Sequence, residues 1–516
     1  MKLNKTLNAK RNVVWGIAAN FVSIILPFFV RTVIIRQLGA NYCGLSSLFA
    51  SILSVLNLTE LGLSEAIVFC MYKPLAQDDN QTICALYNYF RKVYKVVGAT
   101  IFGLGLLLIP FLHYFIKSDI PQELNIFVLH LMFLLDTSLS YLLFAYKNSI
   151  INLHQRNDIA SKIKLAIKLL TGIGQILVIY LYGNYYLYVA VLLGNTIINN
   201  IITSIVVDKV FPQYKCEGSI SNELKASIKE KICGLALART TTVTRNSLDS
   251  IIASAYLGLT SVAILNNYYY VQSAITSFMH IFTSSITAGI GNSIAIDSVE
   301  KNYGDLRKLN FLYMWLANSL ACCMACFYQL FMRIWVGETC VLPNHTMFLF
   351  VLYFLFLKLG DVQFQYFSAS GLWWKRKNFY IAEMVINILL NLILGYYFGL
   401  DGIVISTLFT IIFIGYVGSS TILFTNYFKK PILQYYKEHF LILLVGIIAS
   451  LACFISSDHI FKQYGLLTGF IITLPVAILL PNLLMYTFYC KSTLFQESVS
   501  WLKPRLRRHE NHTNDA

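Results

Sequence analysis

The sequence predicts an all-α integral membrane protein of about fourteen transmembrane helices, and three observations predict it. The first is composition. The 516 residues are 57% hydrophobic and 13% charged, whereas soluble domains run about 45–50% apolar and about 25% charged. A chain this poor in polar side chains cannot cover itself in water. That excludes an aqueous enzyme, a disordered chain and a nucleic-acid binder. The second is arithmetic: fourteen spans need roughly 280 residues at about 20 apiece, and 57% of 516 is about 294. The third is charge placement, since the net charge of +15 is distributed by side of the membrane rather than gathered in a patch.

The spans are read at roughly 12–35, 43–69, 94–116, 124–146, 163–183, 185–207, 234–257, 261–290, 310–333, 344–368, 379–399, 401–427, 438–456 and 464–489. Barrel strands would show alternating ten-residue segments. These runs are continuous and twice as long, so they are helices. A basic N-terminus precedes an apolar stretch too long for the core of a cleavable signal peptide.

Positive charge orients them. Ends and loops are numbered alternately from the N-terminus. The odd set holds 32 of the 40 Lys and Arg, including Lys164 and Lys168 counted as loop charges before span 5. The even set holds only Arg36, Lys117, Arg333 and Lys462; Arg31, Arg239, Arg245 and Lys358 fall within spans. Both termini are therefore expected in the cytoplasm, and the number of spans is even. Outer connections are short, the longest about 334–343, which leaves no room for an outer domain.

Spans 1–6 and 7–12 read as two copies. LGANYCGLSSLF (38–49) aligns with LGLTSVAILNNY (257–268) at an offset of 219, and YGNYY (182–186) faces FGLDG (398–402) at an offset near 216. An even number of spans per copy makes the repeats parallel, about an axis along the membrane normal. The expected organisation is an N-lobe at 1–208, a C-lobe at 209–430, added helices at 431–490 and a basic cytoplasmic tail at 491–516.

Polar residues interrupt four equivalent spans. Span 7 carries Arg239, Arg245 and Asp249 in ARTTTVTRNSLDS (238–250). Each charge costs about 2.5–3.5 kcal/mol at the bilayer centre, so this helix must face protein or a hydrated cavity. Arg245 and Asp249, four apart, share a face and suit either a structural ion pair or a cavity wall. Span 8 carries Asn266, Tyr270, Ser273, Ser277, His280 and Ser284 on one face. Span 1 has Asn20 and Arg31, with Arg31 near enough to the outer end to snorkel. Span 2 has Asn57 and Glu60. These four helices are expected to line one cavity. Asp136, Glu60, Asp249 and Asp361 are the candidates for binding a coupling ion; Asp361 also stands three residues from Lys358, within pairing distance. Tyr268, Tyr269 and Tyr270 are candidates for stacking on sugar rings.

No phosphate-binding glycine loop or HExxH motif is present, and no cofactor is expected. Cys322, Cys323 and Cys326 cluster in LACCMACF, but with no His or carboxylate beside them they read as small packing residues rather than a metal site.

The segment RTVIIRQLGANYCGLSSLFASILSVLNLTELGLSEAIVFCMYKPLAQDD (31–79) resembles the N-terminal signature of bacterial polysaccharide flippases. These are the Wzx-type repeat-unit and O-antigen transporters of the multidrug/oligosaccharidyl-lipid/polysaccharide (MOP) superfamily. DSIIASAYLGLTSVAILNNYY (249–269) is similar to the family's helix 7–8 region. The resemblance implies a two-lobed transporter in the bacterial inner membrane, not an enzyme. It would move undecaprenyl-diphosphate-linked oligosaccharide between leaflets by alternating access, coupled to H⁺ or Na⁺ and acting as a monomer. It implies a role in surface polysaccharide or lipopolysaccharide synthesis. Arg239, Arg245 and Asp249 match the general place of the family's cavity charges, while the charged helix 1 of some relatives is only partly matched by Asn20 and Arg31. A cation-coupled multidrug exporter of the same superfamily is the alternative, although its cavity should be acidic. A membrane-embedded polymerase or glycosyltransferase is disfavoured by the short outer loops.

Overall fold

The computed structural model describes residues 5–57, 63–117 and 120–502. Among them there are helices and no strands. The first helices are α1 (Lys5–Gln37), α2 (Ala40–Leu56), α3 (Leu63–Ala76), α4 (Asn80–Leu108), α5 (Leu112–Phe115) and α6 (Ile126–Leu142). There follow α7 (Asn148–Leu153), α8 (Asn157–Tyr182), α9 (Tyr185–Val210), α10 (Asn222–Leu257), α11 (Leu259–Ile296) and α12 (Val299–Val336). The series ends with α13 (Asn344–Leu359), α14 (Asp361–Ala369), α15 (Lys377–Thr410), α16 (Val417–Leu423) and α17 (Leu433–Tyr489).

Among the described residues, eight helices are long and apolar enough to cross a membrane. A ninth appears if α6 and the following Ala145–Leu153, bent by 44°, form one broken span. Two of the eight are double: the 57-residue runs Leu372–Phe428 and Leu433–Tyr489 bend at Gly399 (φ 59°) and Gly465 (φ 72°). Each of the two holds a pair of expected spans.

The chain divides into two compact units, residues 1–266 and 267–516. The first holds α1–α10 and the start of α11. The second holds the rest of α11 and α12–α17, with α17 packed along α12.

Local sequence explains the element ends. Asn125, Asn184, Ser221 and Ser298 each cap a helix, accepting a backbone N–H in its first turn. Gly39 before α2 and Gly258 before α11 take φ 112° and 85°, with ψ 164° and 176°. Only glycine adopts that region readily. These are the two glycines matched by the offset of 219, so the copies share a backbone break as well as letters. Gly44 then lets α2 reach α11: a Cβ there would stand 2.0 Å from the Leu259 carbonyl oxygen. Asn41 and Thr260, equivalent under the same offset, hydrogen-bond to each other.

Span 5 was expected to begin at 163, but α8 begins at Asn157. Lys164 and Lys168, expected in the preceding loop, therefore stand inside the helix. The chain can continue the helix there because Arg156 and Lys162 both reach the carboxylate of Asp158, at 2.8 and 3.9 Å. The first turn thereby gains an acidic residue at the helix N-terminus.

Candidate functional site

In the first unit α1, α8 and α9 enclose a cavity of about 590 Å³. Its charged lining is Arg31, Lys164 and Lys168, with no carboxylate. Asn148, Gln175, Asn195 and Asn199 add carboxamides; Thr171, Tyr188 and Thr203 add hydroxyls.

The register of the three helices follows from their contacts. The Asn12 side chain accepts from the Asp158 amide at 2.7 Å and donates to the Gln155 carbonyl at 2.8 Å. Leu26 packs into the space left by the missing side chain of Gly172. Asn12 with Asp158 and Leu26 with Gly172 share an offset of 146 positions. Hence α1 runs parallel to α8, and Arg31 stands level with position 177. Against the antiparallel α9, Thr171 Oγ1 donates to Asn195 Oδ1 at 2.8 Å, and Gly174 faces Val191. On that register Lys164 stands opposite Thr203, Lys168 opposite Asn199, and Tyr188 beside Arg31.

The cavity is thus layered along the helix axes. Lys164 and Lys168, one turn apart, form its lower level. Thr171, Asn195 and Gln175 form the middle, and Arg31 with Tyr188 the top. Arg31 Nη2 also donates to Ser47 Oγ of α2 at 3.4 Å, which ties its guanidinium to the bundle. Gln175 is 6% exposed and its Nε2 has no protein partner. A buried amide donor left open costs about 1–3 kcal/mol, and the cavity is where a ligand oxygen would satisfy it. Lys and Arg in a span are tolerated when they face such a hydrated space. A positive lining without a carboxylate among its residues favours an anion, and the carboxamides suit hydroxyl groups.

The residues expected to line the site are distributed differently. Of the eight whose side chains are described, Arg31 alone lines this cavity. Asn20 on α1 is exposed, and Asn57 is half-buried at the end of α2 with an unpartnered Oδ1. Glu60 lies outside the described residues, as does the side chain of Arg239. On α10, Arg245 is half-buried and Asp249 buried. Asn266 donates to Ser250 Oγ at 2.9 Å, joining α11 to α10 within the first unit. Along α11 the polar stripe grows more exposed: Tyr270 is half-buried, whereas Ser273, Ser277, His280 and Ser284 are exposed.

Tyr268 cannot stack on sugar. It is fully buried, donates to Gln329 Oε1 at 2.5 Å and accepts from the Leu342 amide at 3.0 Å. Tyr269 packs edge-on against Phe350 and Tyr353. Both rings pack within the second unit, Tyr268 in its core and Tyr269 half-buried.

The coupling-ion candidates also separate. Asp136 on α6 is half-buried, and its Oδ1 has no hydrogen-bond partner. Asp361 opens α14 at the break after α13, where it accepts from Lys358 Nζ at 2.6 Å and from Tyr313 Oη at 2.5 Å. In the same unit Arg376 and Glu383 form another ion pair, at 3.1 Å, with both side chains buried. The cysteines of α12 pack with Cys453 and Ala449 of α17. Among the described residues no group of three or more His, Cys, Asp or Glu is placed to hold a metal.

The sequence reading missed Lys164, Lys168, Gln175, Asn195 and Asn199. The signal was present, since Lys164, Lys168, Thr171 and Gln175 follow steps of 4, 3 and 4, and Asn195, Asn199 and Thr203 steps of 4 and 4. Counting Lys164 and Lys168 as loop charges, although the expected span began at 163, hid the first of these faces.

No family model matches the chain, and no curated protein matches it in sequence. Solved structures do. The lipid II flippase MurJ, in an inward closed conformation, has 18% identity and a TM-score of 0.65 over 92% of this chain and 99% of its own. An inward-facing multidrug resistance MATE-family transporter of the MOP superfamily has 14% identity and a TM-score of 0.60, covering 80% and 99%. A MOP-superfamily transporter from Pyrococcus furiosus, described as having a binding pocket of reversed polarity, has 13% identity and a TM-score of 0.54, covering 82% and 96%. The chain is a multi-pass membrane protein with the fold of the MOP-superfamily flippases and transporters.

Proposed function

We propose that this protein is a Wzx-type flippase. It carries undecaprenyl-diphosphate-linked oligosaccharide repeat units from the inner to the outer leaflet of the bacterial cytoplasmic membrane, for surface polysaccharide assembly. The observation that carries the reading is the cavity of the first unit, lined by three cations, four carboxamides and no carboxylate. A lipid headgroup of this kind joins phosphate to sugar hydroxyls. Lysine and arginine bind the first, arginine in bidentate fashion, and amides bind the second. The likeness to a lipid II flippase over nearly the whole chain supports a lipid-linked cargo.

Transport by alternating access moves the charged headgroup through water and protein rather than hydrocarbon. Both termini lie in the cytoplasm on this reading, as the excess of basic residues at the odd-numbered ends and loops requires. Coupling to H⁺ or Na⁺ is assigned to a buried carboxylate. Asp136, Asp249 and Asp361 are the described candidates and Glu60 the fourth. Arg245 and Asp249 on α10 are assigned to a second polar wall.

The MATE likeness gives a second reading, a multidrug exporter. A pocket for cationic drugs needs acidic walls, and this cavity has none.

The test is a chromosomal deletion complemented with wild type or Lys168→Gln. The deletion strain should lose surface polysaccharide and accumulate lipid-linked repeat units, and Lys168→Gln should restore less than a tenth of the wild-type level. Unchanged polysaccharide with new drug sensitivity would favour the exporter.

A further inference from the structure

The second unit holds a cluster of thiols that the transport reading does not use. Cys322 and Cys326 are one turn apart on α12, and Cys453 of α17 packs against them with Ala449 and Ala477. All three thiols are free. The Cys322 thiol lies 3.7 Å from Ser450 Oγ, and the Cys326 thiol donates to the Cys453 carbonyl at 3.5 Å. Residues 322 and 450 thus meet at one level and 326 and 453 at the next, so α12 and α17 run parallel here. The Cys326 side chain already lies against the Cys453 backbone. A disulfide needs Cα atoms about 4.4–6.8 Å apart. Helices approach closely where small residues separate them, and the buried members of this cluster are all alanine or cysteine.

A second cavity reaches this cluster. It measures about 420 Å³ and lies between α12 and α17. Cys326 is part of its lining, with Phe454 and Ser457 of α17. Arg333 and Glu338 line it too, and their side chains are 54% and 78% exposed, so they mark its mouth. Seven positions separate Cys326 from Arg333, about 10 Å along the helix axis. Cys322 and Cys453 are fully buried and do not line the cavity. One thiol of the three therefore faces a path from the end of α12, and Cys453 sits behind it.

We propose that Cys326 and Cys453 are a redox-sensitive pair, oxidised by a low-molecular-weight disulfide that enters this cavity to a disulfide joining α12 to α17. The Cys326 thiolate attacks one sulfur of the oxidant. The oxidant's S–S bond breaks, a mixed disulfide forms on Cys326, and the first thiol leaves carrying the Cys326 proton. The Cys453 thiolate then attacks the Cys326 sulfur. The mixed disulfide breaks, the Cys326–Cys453 bond forms, and the second thiol leaves carrying the Cys453 proton. The protein has lost two electrons and two protons, and the oxidant has gained them as two thiols. On the orientation proposed above, the mouth at the end of α12 faces away from the cytoplasm, where disulfides persist. The two cysteines are 127 positions apart, and a bond closing so long a loop restricts the unfolded chain strongly. It ties the added helix α17 to its lobe. The inference goes beyond the flippase reading and does not depend on it.

The test uses the full-length protein in nanodiscs, reduced, freed of reductant and incubated with hydroxyethyl disulfide. Remaining thiols are alkylated with N-ethylmaleimide in SDS before intact-mass measurement and peptide mapping. Wild type should lose two hydrogens and yield a linked peptide pair carrying Cys326 and Cys453, which dithiothreitol separates. The oxidised protein should melt at least about 4 °C above the reduced one. Cys322→Ser should form the same link. Cys453→Ser should stop at the mixed disulfide, read as one hydroxyethylthio adduct on Cys326. Three wild-type results would overturn the proposal: Cys326 fully alkylated while the half-buried Cys490 is oxidised, a lasting adduct on Cys326 with no link, or a link through Cys322 in its place. Each reads thiols alone, so none of them bears on the flippase reading.

Discussion

Two tyrosines separate cargo contact from architecture at the scale of single residues. Tyr268 sits beside the polar stripe of α11 in sequence, yet its hydroxyl is spent on Gln329 and the Leu342 amide. Tyr268→Phe leaves those buried groups short of a partner, at about 1–3 kcal/mol. A lowered melting temperature with retained export is the expected result, read by a thermal-shift assay and polysaccharide staining. Tyr188, by contrast, lines the cavity at the level of Arg31. The difference was not legible from letter and spacing, because an aromatic at the start of a membrane helix serves either role. Lys164 and Lys168 carry the converse lesson. Their charge was visible, but counting them with a loop assigned them to topology alone. Only the helix start at Asn157 places them two and three turns inside, where an unpaired cation demands a ligand or water.

Buried ion pairs and close helix contacts decide behaviour at the scale of elements. Arg376 and Glu383, each under a tenth exposed in its side chain, stand between the start of α15 and the π-helical turn at Ile411–Tyr416, where Arg376 also donates to the Gly415 carbonyl at 3.0 Å. Removing one partner strands a buried charge, at about 3–5 kcal/mol. Glu383→Ala should therefore unfold at lower temperature, and the double variant Arg376→Met with Glu383→Ala should recover part of the loss. A double-mutant cycle of melting temperatures checks it. The contact between α2 and the start of α11 is the second case. Asn41 and Thr260 are bonded, so Asn41→Cys with Thr260→Cys should form a disulfide under mild oxidation, visible as an altered gel mobility after cleavage between the lobes. Adding Gly44→Val should abolish it, since the Leu259 carbonyl occupies the place of the new side chain. The glycines that make this contact were legible in the sequence as the offset of 219. That equivalent residues meet there was not, because an alignment gives correspondence and no distance.

The whole molecule divides differently from a helix count. The sequence reading placed fourteen helices in two lobes of six plus two. The structure bears out the all-helical membrane fold, while α10 and the first turns of α11 group with the first compact unit. Apolar runs are sufficient to find membrane helices, because hydrocarbon forces every backbone group into an internal hydrogen bond. The site was less legible. Seven of its polar residues lie on two helix faces with helical spacing, but the cavity exists only where α1, α8 and α9 meet. Orientation is testable at this scale. A fluorescent-protein fusion to the C-terminus should be bright and an alkaline-phosphatase fusion inactive, as the excess of basic residues at odd-numbered ends and loops requires.

The measurement that bears most directly on the cavity as the transport site is headgroup translocation in proteoliposomes. A fluorescent undecaprenyl-diphosphate oligosaccharide is reduced from outside by a membrane-impermeant quencher, with and without the protein. Wild type should expose the lumenal pool to quenching, and Lys164→Gln with Lys168→Gln should slow that exposure at least tenfold while the melting temperature stays within a few degrees of wild type. Translocation at the wild-type rate by this folded double variant would contradict the account.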